Sequence, residues 1–190
     1  MIKFAITGNI ASGKSHVEKI LKENGFKVFD ADLIAHEILI QNKTVIEVFS
    51  DYDILENGEL SRIKLGKLIF ADKALREKLE DIIHPLVKKK ILDLFEEYKK
   101  DKYIFISVPL LFETDMNTLF DKIILVSIEK GLQLKRLVKR NKLLNEDALL
   151  RINAQLSEDL KRDKSDYILE NNSTIDAFTN KIKSFIETLD

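Results

Sequence analysis

The chain has 190 residues, 45% of them hydrophobic and 33% charged, with a formal net charge of -1. That length suits one domain, or one domain with a sizeable insertion, and it buries enough surface to fold without a covalent or metal staple. The absence of cysteine excludes a disulfide scaffold, a thiolate metal site and a catalytic thiol, and a pI near 6.4 argues against a globally basic nucleic-acid binder.

With only 6 Gly and 2 Pro, each one is informative punctuation. Residues 2–7 read as a short buried strand, broken by Gly8 and the residues to Ser12. Val17, Ile20 and Leu21 have helical spacing, which predicts a helix over 14–24 closed by Gly25. A second strand is expected over 26–29, ending at Asp30, then a helix over 32–40 with Asp32 as its N-cap. This β-α-β-α order with continuous apolar strands predicts a parallel sheet covered on both faces.

The stretch 41–98 holds no convincing core strand. Helices are expected over 61–70, 72–83 and 85–99, the last opened by Pro85, and Glu56-Asn57-Gly58-Glu59 reads as a local loop. Strands resume over 103–108 and 122–127. Helices over 130–139 and 146–163, a strand over 167–169 and an amphipathic helix over 175–189 complete the chain. The longest apolar stretch, 103–112, is interrupted by Ser107 and Pro109, whereas a bilayer span takes about 18–20 apolar residues. The N-terminal apolar run breaks too soon for a signal peptide. A soluble, cytoplasmic protein without a membrane partner is expected.

Gly8-Asn9-Ile10-Ala11-Ser12-Gly13-Lys14-Ser15 matches G-x-x-x-x-G-K-[ST] in full, after a strand and opening a helix. Glycines let backbone N–H groups converge on phosphate oxygens, and the helix N-terminus adds a fixed partial positive charge. Lys14 can reach the β- and γ-phosphates and the Ser15 hydroxyl can ligate Mg²⁺. The pattern arises by chance in roughly one chain in 200. A cation in the first turn of a helix opposes its dipole, so the placement of Lys14 makes sense when a polyanion occupies the loop.

Asp30 and Asp32 stand at the carboxyl end of the second strand, where open α/β sheets bind ligands. A carboxylate there could take the proton from an attacking hydroxyl or hold Mg²⁺. No acid follows the strand at 103–108, which runs into Pro109, so the metal-organising acid must come from elsewhere. Arg136 and Arg140 share one helical face four residues apart, where an arginine could stabilise a transferring phosphoryl group, or form part of a solvated basic face. Lys88-Lys89-Lys90 reads as solvated surface.

These residues, with His84-Pro85, Val108-Pro109-Leu110-Leu111-Phe112-Glu113, Ala154-Gln155, Lys161-Arg162 and Asp166 through Asn172, occur in the order and spacing of one family. From Phe4 to about Asn172 the chain resembles the dephospho-coenzyme A kinases. The resemblance implies ATP-dependent phosphorylation of the ribose 3′-hydroxyl of dephospho-coenzyme A, with ATP and Mg²⁺ required and no nucleic-acid partner. It implies a three-layer α/β/α fold of the P-loop NTPase type with about five parallel strands. The core is expected at about 1–40 and 102–190, a helical acceptor-binding insertion at about 41–100 and a lid at about 130–163. A monomer is expected.

By the same resemblance, Lys14 stabilises the transferring phosphate, Asp32 is the base and Arg140 closes from the lid. Gly8, Ala11, Ser12, Gly13, Ser15, His16, Arg136, Asn171 and Asn172 hold ATP, Ser15 also holding Mg²⁺. His84, Leu110, Leu111, Phe112 and Glu113 line the acceptor site with Asp32. Two glycines usual in the family's loop are replaced, by Asn9, a residue tolerant of left-handed backbone, and by Ala11, less tolerant of it. The alternatives are another small P-loop kinase acting on a nucleoside or nucleotide, a nucleotide-dependent switch, and a non-catalytic coenzyme-binding module. A GTPase switch is disfavoured because Asn141-Lys142 is followed by Leu143-Leu144 rather than by the acid of a guanine motif.

Overall fold

The structure, a computed structural model, describes residues 1–189. It divides into two compact units, one formed by Met1–Asp30 with the chain from Phe95 onward, the other by Ala31–Leu94. The first unit is built on a five-stranded parallel sheet of β1 (Ile2–Thr7), β2 (Lys27–Asp30), β5 (Tyr103–Ser107), β6 (Lys122–Ser127) and β7 (Tyr167–Glu170), in the order β2-β5-β1-β6-β7.

Alternate residues of the central strands explain why the sheet needs cover on both sides. Phe4, Ile6, Phe105, Ile124 and Val126 point to one face and are buried against Val17, Ile20 and Leu21 of α1 (Lys14–Glu23) and Phe178, Ile182 and Phe185 of α9 (Ile175–Glu187). Ala5, Ile104, Ile106, Ile123 and Leu125 alternate with them and are buried as well. Full burial of one such side chain contributes about 1.5–3 kcal/mol, so this core dominates the stability of the unit. The remaining helices of the unit are α6 (Lys130–Asn141), α7 (Asn145–Asn153) and α8 (Glu158–Asp163).

The second unit contains α2 (Ala31–Gln41), α3 (Lys43–Val48), a short antiparallel hairpin of β3 (Leu55–Glu56) and β4 (Glu59–Leu60), α4 (Arg62–Ala71) and most of α5 (Lys73–Glu97). The expected loop at 56–59 is this hairpin. Asn57 and Gly58 both take positive φ, 53° and 84°, the backbone of a two-residue hairpin turn.

Three expectations are corrected. Pro85 does not open a helix but lies inside the 25-residue α5. Leu79, Ile83, Val87, Ile91 and Leu94 recur every three or four residues on both sides of it and are all buried. A proline in a helix interior costs about 3 kcal/mol, less than that stripe gains by burial. Asp32 is not an N-cap; α2 begins at Ala31 and Asp32 lies in its first turn, where a carboxylate still favours the dipole. The helix expected over 146–163 is two helices, α7 and α8. Ser157 caps the second by accepting from the Leu160 N–H at 3.5 Å, and Ala154-Gln155-Leu156 leaves helical register between them. No helix among the described residues is long and apolar enough to cross a membrane.

Candidate functional site

The loop between β1 and α1 takes the shape its glycines predict. Gly8 has φ 151° and any Cβ there would lie 2.4 Å from the Val126 carbonyl oxygen, so backbone approach leaves no room for a side chain. Gly13 takes φ 106° as the residue preceding α1, and its Cβ would strike the Asn171 amide at 2.4 Å. Between them the chain turns back through Ser12 N–H to Asn9 C=O at 3.1 Å. The left-handed residue of the turn is Ala11, at φ 63°, and not Asn9. A non-glycine residue in that conformation costs about 1–2 kcal/mol, so neighbours must hold it.

Those neighbours are visible. Gln155 Oε1 accepts from the Ile10 N–H at 2.7 Å, and Gln133 Nε2 donates to the Ile10 carbonyl at 2.9 Å. Ile10 and Ala11 also pack on a small apolar cluster of Leu137, Ala148 and Ile152, on α6 and α7. Asn171 Nδ2 donates to the Ser12 carbonyl at 2.7 Å, and Asn171 Oδ1 accepts from Arg136 at 3.3 Å. Ser12 Oγ is buried in the loop without a hydrogen-bond partner in the chain. A buried hydroxyl left so costs about 1–3 kcal/mol, which suits a hydroxyl that donates to an anionic ligand oxygen. Lys14 Nζ donates to the Gly8 carbonyl at 2.5 Å, drawn back over the loop.

The structure thus gathers Gly8, Ala11, Ser12, Gly13, Lys14, Arg136 and Asn171 around one loop. Asn171 is buried and its side chain braces the loop and Arg136. Asn172, next to it, accepts the Glu129 N–H at 2.7 Å. His16 points to α9: its Nε2 bonds Thr179 Oγ1 at 2.8 Å and its ring leans on Phe178. Arg140 is exposed on α6 and donates to Asn141 Oδ1 at 2.8 Å. Leu111 and Phe112 are buried, whereas Leu110 is exposed.

Glu113 forms an ion pair with the fully buried Lys161 at 2.8 Å, without the alignment of a hydrogen bond, and accepts the Leu156 N–H at 3.0 Å. Burial opposes its charge, but the Lys161 ammonium and the Leu156 N–H outweigh that and hold its carboxyl below the usual range. Glu18, one helical turn beyond Lys14, behaves oppositely. Burial pushes it up, the Asp30 carboxylate adds to this, and Ser107, Lys22 and Lys14 only partly offset the rise.

In the unit Ala31–Leu94, Asp32, Ala35, His36, Leu39, Arg62 and His84 are among the residues lining an open cavity of about 370 Å³. His36 lies one turn beyond Asp32 on the same face of α2, and Arg62 approaches its Nε2 at 3.2 Å. Because arginine only donates, Nε2 is the acceptor and the ring proton sits on Nδ1, a buried atom with no partner in the chain. Asp32 is exposed at the rim of its helix.

Sequence reading missed His36, Arg62, Glu18 and Gln133. The first and third carry a signal in hindsight, since each stands four residues after a residue already singled out. Gln133 carries none, because its role depends on where α6 lies.

A family model for dephospho-CoA kinase matches residues 2–177. The dephospho-CoA kinase of Fusobacterium nucleatum is 40% identical over 190 residues, covering 97% of this chain and 96% of that protein. That of Listeria monocytogenes is 38% identical over 188 residues, covering 96% and 94%. The solved dephospho-CoA kinase of Campylobacter jejuni superposes with a TM-score of 0.80 at 32% identity, covering 98% of this chain and 96% of that one. The phosphate loop, the five-stranded sheet and these full-length matches agree, and the chain belongs to the dephospho-CoA kinase family, the kinases that act in coenzyme A biosynthesis.

Proposed function

We propose that this chain transfers the γ-phosphate of ATP to the ribose 3′-hydroxyl of dephospho-CoA, with ATP held by the loop at Gly8–Ser15 and the acceptor held by the unit Ala31–Leu94. The observation that carries the reading is the loop itself: strand, two glycines at positive φ, a buried orphan hydroxyl on Ser12 and Lys14 at the helix start. These supply converging donors for a triphosphate.

In this reading Lys14 moves from the Gly8 carbonyl to the phosphoryl oxygens as charge builds there. Arg136 and Arg140 add positive charge from a lid at about 130–163. Asn171 holds the loop and Asn172 borders the adenine, with His16 in the first turn of α1. Asp32 accepts the ribose hydroxyl proton, a role that typically supplies about 10²–10⁴ in rate. His36, Arg62 and His84 line the acceptor cavity with it, Arg62 being the cation suited to the acceptor's pyrophosphate. Leu110, Leu111, Phe112 and Glu113 belong with acceptor binding in this reading, Leu110 as an exposed side chain and Leu111 and Phe112 as the buried packing beneath it.

The donors present fit Mg²⁺ as nucleotide enzymes bind it. The hard donors near the loop are the Ser15 hydroxyl, in the first turn of α1, and the carboxylates of Glu18 and Asp30, which feel each other's charge while Lys14 also acts on Glu18. Such a set leaves most positions to phosphate oxygens and water. Mg²⁺, when bound, neutralises charge on the phosphates. The protein works as a monomer in the cytoplasm.

Lys14→Ala tests the reading. The variant should keep its unfolding midpoint and lose phosphorylation of dephospho-CoA, followed by mass spectrometry. Retained turnover would sink the assignment of the loop.

A further inference from the structure

Ile10 is held through both of its flanking peptide groups. Its N–H donates to Gln155 Oε1 at 2.7 Å, and its carbonyl accepts from Gln133 Nε2 at 2.9 Å. The partners fix both amide orientations: a backbone N–H needs an oxygen opposite it, and a carbonyl needs a nitrogen. Gln133 is 3% exposed, so the bond is shielded from water. Asn9 Nδ2 reaches the Leu156 carbonyl at 3.4 Å, beside Gln155. Directly after the clamped residue comes Ala11, the one residue of the loop other than glycine at positive φ among those described.

We infer that Gln133 and Gln155 are positioning residues of the phosphate loop: their amides clamp the peptide groups on either side of Ile10 and hold Ala11 in a left-handed backbone that a glycine would take unaided. The inference rests on the reading of the loop as the ATP site. It explains two features otherwise unconnected. Helix α7 ends and α8 starts anew so that residues 154–156 reach the loop. The helix that carries Arg136 and Arg140 also carries Gln133. The loop is therefore shaped by the same segment that carries the arginines, and displacing that segment would loosen the loop's grip on phosphate.

The clamp acts through Ala11, so its removal should be tolerated better when residue 11 is glycine. The experiment uses the full chain in four forms: parent, Gln155→Ala, Ala11→Gly and the pair combined. ATP affinity is measured by calorimetry, and KM for dephospho-CoA and the unfolding midpoint are recorded for each. Gln155→Ala should weaken ATP about tenfold in the parent, and only about two- to threefold when Ala11→Gly is present. KM for the acceptor and the unfolding midpoint should change little. Equal losses in both backgrounds, or none in either, would overturn the inference. If Gln155→Ala does not fold, Gln155→Asn, which draws the amide back by one methylene, is read with the same expectation. Lys14→Ala measured alongside separates the two levels: if it leaves ATP binding intact, the loop is not the ATP site and that reading fails first.

Discussion

The two candidate regions are built differently. Around the phosphate loop the working groups are backbone donors and buried amides, each held by a neighbour from another element: Gly8 by β6, Gly13 and Ser12 by Asn171, Ile10 by Gln133 and Gln155. In the cavity of Ala31–Leu94 the working groups are side chains at its surface, Asp32, His36, Arg62 and His84, with Arg62 meeting His36 at 3.2 Å. A rigid cradle suits a phosphate chain whose shape is the same in every turnover. An open side-chain surface suits an acceptor that must be admitted, aligned and released.

The difference yields graded expectations. The largest effects belong to the groups at the reacting atoms. Lys14→Ala and Asp32→Asn should each lower kcat by about 10²–10⁴, with circular dichroism and unfolding midpoints near those of the parent. The two should separate in binding, Lys14→Ala weakening ATP and Asp32→Asn leaving it unaltered. Asp32→Asn with most of its activity intact would remove it as base.

Next comes the buried brace of the first unit. Lys161→Met leaves Glu113 without its counter-ion. Breaking a fully buried pair costs about 3–5 kcal/mol, and the partial exposure of Glu113 lowers the expectation to about 2–3 kcal/mol, read by urea unfolding. A loss below 0.5 kcal/mol, roughly the scale of a surface substitution, would show that the brace is incidental. A smaller effect is expected from the open region: Arg62→Ala should raise KM for dephospho-CoA about tenfold, leave KM for ATP unchanged and barely move stability. A change in ATP KM of the same size would erase the division between the two regions.

The smallest effects are in pH. The Glu113 carboxyl is held below its ordinary value of 4.5, so its stabilisation is present above that value and disappears as the pH falls through the lower folded one. The Glu18 carboxyl is held above 4.5, so its ionisation costs stability as the pH rises through the raised value. Glu113→Gln should therefore lower stability at neutral pH and flatten the acid limb, whereas Glu18→Gln should raise stability at neutral pH. Unfolding curves taken from about pH 4 to 7 read both signs, and equal signs would contradict these assignments.

The parallel sheet, the loop and the first-turn lysine were legible in the sequence because each depends on local pattern: apolar runs, glycine spacing, a helix opening. Its β2-β5-β1-β6-β7 order was not, since strand order is set by crossovers. Pro85 misled because a local breaker was outweighed by a buried stripe running past it. The break at 154–156 was missed because a three-residue reach to a loop about 145 residues away leaves no periodic trace. Asp32 was legible as a residue but not as a first-turn acid, and its neighbours His36 and Arg62, on helices far apart in sequence, meet only in the fold.

One measurement tests the central claim most directly. The purified chain is incubated with ATP, Mg²⁺ and dephospho-CoA, with adenosine and nucleoside monophosphates as parallel acceptors, and the products are read by mass spectrometry. The account predicts that dephospho-CoA alone gains a single phosphate, on its ribose 3′-hydroxyl. Phosphorylation of a nucleoside or nucleotide with dephospho-CoA left untouched would contradict it.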